Sequence, residues 1–396
     1  MTKEKKVVFG RLGLMRNDSL PKNKKIKIGF VGGGPSSFIG YTHRLAARFD
    51  NRFEFVAGVF SRDKKKSIDF GSSLGLDPSR CYANYSEMAK KESKRSDGIE
   101  ALGIMTPSGD HYKIAKLFIE NKIHIICDKP LTATIEDAIK LQKLVKKHKI
   151  VFALTHNYSA YPMLREAKNL VEKGKLGKVL LINVEYPQGY TVGIKKKDEK
   201  STLKWRLDKK MCGPSMILAE IGTHAYHLLR YVTALEVNEI SAEVSSLSEE
   251  ISVDDNAFIT LRMNNKARGS IWVSSAATGG ENGLKIRIYG TKGAVEWFQD
   301  DPNILKFTEL NNPTRIITRA SNSVSSFSMK SSRVAAGHPE GFFEAFANIY
   351  TEFADLITSS KKNLFPIPSI EDGVKGVKFM FAAKESSDKN SKWIKL

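Results

Sequence analysis

The chain is short of cysteine and lacks long apolar runs, and each shortage excludes a class of function. Cys81, Cys127 and Cys212 are the only cysteines in 396 residues. An odd number so widely spaced makes neither a disulfide framework nor a metal-ligand pattern, and it predicts free thiols in a reducing compartment, the cytoplasm. No run approaches the roughly 18 apolar residues that a membrane-spanning helix requires. The lysine-rich beginning has no apolar stretch leading to a small-residue cleavage site, so no secretory signal is expected. Acidic residues are outnumbered: 63 Lys and Arg face 43 Asp and Glu, a formal charge of +20. That excess is scattered, as at 64–66, 140–149 and 195–197, and no nucleic-acid-binding motif accompanies it. Solvated basic faces account for it, so neither nucleic acid nor membrane is an expected partner, although the field favours anionic cofactors. There are no internal repeats. What is present is 41% hydrophobic content, enough for a sizeable core over two or three domains.

Residues 1–24 are polar and lysine-rich and read as an extension. From Ile26 the pattern is βαβ. Apolar strands at 26–31, 53–60, 99–105, 123–127 and 150–154 alternate with helical spacing at 37–49, 112–120 and 134–147. In the first helix Phe38, Tyr41, Leu45 and Phe49 recur at helical intervals, and Thr134 with Asp137 makes a capping-box pattern. This alternation predicts an N-terminal, doubly wound parallel sheet of Rossmann type over 25–155. Beyond it, helices at 162–173 and 215–232 and short strands at 179–185, 238–246, 256–263, 269–276, 284–290 and 293–298 predict a second, α+β domain over 156–396 with a large, mostly antiparallel open sheet. The Ser-rich stretch 319–334 reads as a mobile loop, and the closing helices at 339–358 and 371–386 are candidates to pack back on the first domain.

The first strand runs into KIGFVGGGPSSFIGYTHRLA, residues 27–46. Gly32 and Gly34 give G-x-G, but Ser37 stands where the dinucleotide fingerprint has its third glycine. The physical requirements are a tight turn, a backbone that approaches phosphate without a Cβ in the way, and a helix N-terminus facing the anion. Gly32, Gly33 and Gly34 meet the first two, and Pro35, Ser36 and Ser37 suit the start of a helix. Gly40, one turn on, allows close packing against the strand. At the end of the second strand, where an Asp or Glu selects NAD and an Arg accepts the 2′-phosphate of NADP, stand Ser61 and Arg62. They tilt the expected cofactor to NADP, with Asp63 keeping NAD open.

Two further segments carry ionisable groups. HIICDKPLT (124–132) places Asp128 and Lys129 at the carboxyl end of a parallel strand, where such folds bind ligands. In MILAEIGTHAYHLLRYV (216–232), regular helical spacing puts Glu220, His224 and His227 on one stripe beside the apolar face, where pKa values are easily tuned. Each feature has a plain structural alternative when taken singly, and no ligand cluster completes a metal site, so no metal is expected.

Taken in order, these motifs resemble the Gfo/Idh/MocA family (glucose–fructose oxidoreductase, inositol dehydrogenase, MocA). The resemblance rests on the glycine-rich turn, Thr106-Pro107 ahead of His111, Asp128-Lys129-Pro130, and Glu220-Ile221-Gly222-Thr223-His224, over most of 26–388. Thr155-His156-Asn157-Tyr158, Glu185-Tyr186-Pro187-Gln188-Gly189, Trp205-Arg206 and His338-Pro339-Glu340-Gly341 are similar to one branch of it. The resemblance implies NAD(P)-dependent transfer of hydride at a secondary alcohol or ketone of a sugar, cyclitol or related polyol, by a homo-oligomer, dimer or tetramer, joined through the second sheet. It implies cofactor contacts at Gly32, Gly33, Gly34, Pro35, Ser36, Ser37, Ser61, Arg62, Thr106, Pro107, His111, Asp128 and Lys129. The implied catalytic set is Lys129, His224 and Glu220, and the substrate contacts are Asn157, Tyr158, Trp205, Arg206 and His227. Two departures stand out: Asp128 replaces the family Glu, and Glu220 replaces the family Asp. An NAD-dependent glycosidase of the same family, or a nucleotide-binding protein that has lost the chemistry, are the alternative readings.

Overall fold

A computed structural model describes residues 25–358 and 366–396; the 1–24 extension lies outside the described residues. Six strands, β1 (Ile26–Gly32), β2 (Phe53–Val59), β3 (Cys81–Tyr82), β4 (Ala101–Met105), β5 (His124–Cys127) and β6 (Phe152–Leu154), form a wholly parallel sheet in the order β3-β2-β1-β4-β5-β6. This is the dinucleotide-fold order, with its crevice between β1 and β4 where the winding reverses. Helices α1 (Phe38–Phe49), α2 (Lys64–Ser73), α3 (Tyr85–Glu92), α4 (Ser108–Glu120) and α5 (Ile135–His148) connect the strands. After α6 (Pro162–Glu172), nine strands form the second sheet: β7 (Val179–Pro187), β8 (Val237–Ser245), β9 (Asn256–Met263), β10 (Arg268–Ser274), β11 (Lys285–Gly290), β12 (Gly293–Phe298), β13 (Ile304–Glu309), β14 (Arg315–Thr318) and β15 (Ile394–Lys395). Among the described residues only the β7–β10 pair of this sheet is parallel. Short helices α7 (Glu199–Leu203) and α8 (Lys209–Cys212) lie in the β7 connection, followed by α9 (Thr223–Thr233), α10 (Ser326–Met329), α11 (Phe342–Thr358) and α12 (Ile370–Asp388). Tyr350 of α11 bonds His43 of α1, and Lys146 of α5 pairs with Glu371 of α12, so both closing helices pack on the first sheet's helices.

Three local expectations change. The aromatic spacing of α1 does not mark its buried face: Phe38 and Tyr41 are 67% and 55% exposed, while Gly40, Thr42, His43, Arg44, Ala46 and Ala47 face inward. The reason is the glycine contact, since a Cβ on Gly40 would lie 2.3 Å from Gly33 Cα, and Arg44 caps Gly33 O at 2.5 Å. Phe38 instead stacks on Phe342, and Tyr41 meets Phe343 edge-on.

The 215–232 helix is not uniform. Residues Leu218–Gly222 form a π turn, with the Thr223 N–H reaching Leu218 O, before α9 begins. The stretch 319–334 is not a loose loop: Arg319, Ser328, Ser331 and Ser332 are buried and α10 lies within it. Two of its hydroxyls find partners, Ser331 accepting from Arg165 at 2.6 Å and Ser325 donating to Glu166 at 2.6 Å, which offsets part of the cost of burying polar groups, while the Ser328 and Ser332 hydroxyls have no hydrogen-bond partner among the described residues.

Candidate active site

The glycine turn ends β1 in a left-handed conformation, with φ +90° at Gly32 and +67° at Gly33, which L side chains rarely adopt. A Cβ at Gly34 would sit 2.7 Å from Phe60 O, so the loop is closed to any larger residue. Ser37 caps α1, its Oγ accepting from Gly40 N at 3.0 Å. Beside the turn lies a cavity of about 500 Å³ lined by Gly34, Pro35, Ser36, Ser37, Phe60, Ser61 and Lys66 among others. Ser61 Oγ accepts from Asp63 N, and Asp63 caps α2 through Lys66 N at 3.1 Å. The Arg62 side chain is 96% exposed at the rim, 3.9 Å from Asp110. We expect Gly40→Ala to push α1 off the turn. Overpacking of this kind costs about 1–3 kcal/mol, read as a lower melting temperature, and dinucleotide titration should show affinity falling with it.

Across the crevice, Thr106 and Pro107 end β4 and start α4. The Thr106 hydroxyl is buried without a hydrogen-bond partner and so is available to a ligand, as is the Asn157 amide nitrogen. His111, an expected cofactor contact, braces the backbone instead. Its Nε2 faces Thr106 O at 2.8 Å and its Nδ1 faces Pro130 O and Leu131 O at 3.1 and 3.2 Å, leaving no ring nitrogen for a cofactor. Asp128 also turns inward. It accepts from Thr155 Oγ1 at 2.8 Å and lies 3.9 Å from His43 Nε2, while His43 Nδ1 is 2.8 Å from Tyr350 Oη. Burial pushes the Asp128 carboxyl up, but His43, Lys129 and Thr155 outweigh it and hold the group below the usual carboxylate range. The glycine cradle, the cavity and the unpartnered Thr106 hydroxyl together fit a dinucleotide.

Lys129 crosses from the end of β5 to the π turn, where its Nζ donates to Glu220 O at 2.5 Å. Glu220 itself pairs with Arg206 at 3.0 Å, and the Arg206 guanidinium lies 4.7 Å over the Trp205 ring. Burial raises the Glu220 carboxyl, and Lys129 and Arg206 more than reverse that, so it is ionised. Among the described residues no hydrogen bond joins Glu220 to His224, and the Glu220 carboxylate is engaged by Arg206. The nearest polar partner of His224 is His156, Nδ1 to Nδ1 at 3.4 Å, with the Tyr158 ring edge-on at 4.9 Å. Burial, reinforced by Lys129, holds His224 well below the ordinary imidazole value. The Tyr158 hydroxyl bonds Tyr186 and burial pushes it up to about 12.

His227 does not line this face: it lies flat against His156, centroids 4.3 Å apart, and is held down at about 4 by burial with Asp372 opposing. Tyr190 joins the cluster, raised to about 12 by burial and by Glu220. His43, His156 and Tyr190 were not singled out from sequence. His156 lay inside a noted segment, but no spacing reveals contacts across 68 residues.

A positioned lysine, a neutral histidine and a dinucleotide cradle at one crevice suit proton and hydride exchange at a carbon–oxygen bond. Residues 26–156 match the family described as oxidoreductase, NAD-binding Rossmann fold, and residues 164–296 match the GFO/IDH/MocA C-terminal domain. The chain is 32% identical to the uncharacterized oxidoreductase YfiI of Bacillus subtilis, over 96% of this chain and 99% of that one. It is 27% identical to the levoglucosan dehydrogenase of Pseudarthrobacter phenanthrenivorans, over 69% of this chain and 73% of the relative. The crystal structure of an inositol dehydrogenase homolog from Azotobacter vinelandii complexed with NAD+ superimposes with a TM-score of 0.92 at 31% identity, covering 96% of this chain and 100% of that one. Fold, ordered motifs and full-length similarity agree: the chain is an NAD-binding oxidoreductase of the Gfo/Idh/MocA family.

Proposed function

We propose that the protein oxidises a secondary alcohol of a neutral sugar or cyclitol, or reduces the corresponding ketone, with NADP(H) as the preferred cofactor. The observation that carries the reading is the convergence of Lys129 on the turn that precedes His224, at the carboxyl end of the parallel sheet. When bound, the nicotinamide supplies the hydride acceptor or donor. His224 takes the alcohol proton, and Lys129 hydrogen-bonds the same oxygen as negative charge develops on it. Asn157, with its unpartnered amide, and Trp205 hold the substrate's other hydroxyls.

The site's charges are paired: Arg206 is matched by Glu220, and Lys129 stands next to ionised Asp128. No cation of this set is left over for a phosphate or carboxylate, which favours neutral polyols and agrees with the sugar and inositol dehydrogenases among its relatives. The NADP preference is supported by Arg62 in the turn after β2, by Lys66 in the first turn of α2 lining the cavity, and by the commitment of Asp63 to capping α2. We further propose a homo-oligomer joined through the outer face of the second sheet, where Leu181, Phe258, Tyr289 and Ile316 are exposed.

Turnover of a panel of inositols, sugars and anhydrosugars with NAD and with NADP tests the reading. The expected result is net cofactor reduction on a neutral polyol, faster with NADP. Release of free sugar without net reduction identifies a glycosidase, and tight dinucleotide binding without turnover on any polyol overturns the dehydrogenase reading. Arg62→Ala removes one charge-assisted contact, about 1.5–3 kcal/mol, and should lower kcat/KM roughly 10- to 100-fold with NADP while leaving NAD largely unaffected.

A further inference from the structure

We propose that His156 is the positioning residue for His224; the proposal rests on His224 being the acid–base group. Glu220 is otherwise engaged: its carboxylate holds Arg206, its carbonyl holds Lys129, and among the described residues no hydrogen bond joins it to His224. His156 is available: it is 1% exposed, and its Nδ1 is 3.4 Å from His224 Nδ1. Its own ring is immobilised, lying nearly parallel to His227 (8° between planes) and edge-on to His224 (83°). Tyr158 closes the other side of His224. Burial keeps His156 and His224 neutral, so one Nδ1 carries the proton between them and the other accepts it.

A base facing an alcohol needs its lone pair on the nitrogen turned to the ligand. That requirement selects the arrangement in which His224 Nδ1–H donates to the His156 Nδ1 lone pair, leaving His224 Nε2 as the acceptor. Once His224 takes a proton at Nε2, the same Nδ1–H bond persists and strengthens. The device is the second-group orientation of a catalytic imidazole, with a neutral histidine in place of a carboxylate.

The prediction is spectroscopic first and kinetic second. With eight histidines in the chain, 15N-labelled imidazoles are resolvable in long-range 15N–1H correlation spectra of the whole protein. The wild type should show His224 as the Nδ1–H tautomer. His156→Phe keeps the ring on His227 but removes the acceptor, and should release His224 to the Nε2–H tautomer. His156→Asn, whose Oδ1 falls near the lost Nδ1, should restore the wild-type tautomer. On the true substrate, His156→Phe should lower kcat roughly 10- to 100-fold, as loss of an outer partner of a functional histidine does, with KM little changed and His156→Asn recovering much of it. A wild-type His224 found as the Nε2–H tautomer overturns the proposal, and so does a tautomer indifferent to both substitutions. These spectra decide the point without turnover, so a failure of the polyol panel counts against the dehydrogenase reading alone.

Discussion

Lys129→Met lowers kcat for polyol oxidation by about 1,000-fold, in the range reached when a positioned proton-transfer or charge-stabilising group is removed. Methionine keeps the apolar stem of the lysine and lacks the ammonium, so the loss reads the ammonium more than the packing. The ammonium leaves the main chain at the end of β5 and is anchored on the Glu220 carbonyl at 2.5 Å, which fixes its position without neutralising its charge. As the substrate oxygen becomes anionic, that charge is worth more than in the ground state, so kcat should fall more than KM rises. The substitution also removes a cation that holds the partly buried Asp128 and Glu220 ionised, so some loss of stability accompanies it. Steady-state kinetics on protein shown by thermal melting to be folded at the assay temperature decide it. A variant that keeps more than about a tenth of wild-type kcat would remove Lys129 from the chemistry.

His224→Asn has a comparable effect, about 1,000-fold on kcat, and the pH profile separates it from a packing defect. Burial and Lys129 lower the His224 pKa well below 6.5, with Asp128 opposing. The sign follows directly. A base must be unprotonated to accept the alcohol proton, and a lowered pKa keeps it so throughout the neutral range. Oxidation by the wild type is therefore flat near neutrality and declines only as pH falls through a value below that of a free imidazole. Ketone reduction runs the other way and gains as pH falls through the same value, since the proton must then be given back. In His224→Asn this limb disappears from kcat/KM. If the limb survives the substitution unchanged, another group is the acid–base residue and the assignment fails.

Much of the architecture was legible in the residues. Strands of β-branched and aliphatic residues alternating with capped helices specify a parallel sheet, because each apolar segment must be covered on both faces. Strands β11 and β12 and the turns around them were visible because period-two patterning and Gly-rich turns are local signals. The edge strand β14 and its neighbour β13 were missed: β14 is mostly exposed and carries Arg315 and Thr318, and in β13 only Leu305 and Phe307 alternate around Lys306, too short a pattern to mark a strand. The helical spacing of α1 was legible, but which of its faces turns inward was not. Here the Gly33–Gly40 contact chose the orientation first.

The sequence by itself determined the dinucleotide cradle, the lysine at the end of β5 and the histidine downstream, because each depends on residue type within a short segment. A glycine is needed where φ is positive, a strand end opens on the crevice, and a motif keeps its order along the chain. Only the tertiary structure decided what those groups touch. It turned Asp128 to His43, committed both His111 nitrogens to backbone carbonyls, moved Glu220 onto Arg206, and set His156 against His224. The physical reason is range. Backbone conformation is governed by neighbours a few residues away, whereas the partner of a buried polar group is whichever donor or acceptor the packed chain brings within about 3 Å. The proposed catalytic histidine shows this: its hydrogen-bonding neighbour, His156, lies 68 residues away in sequence.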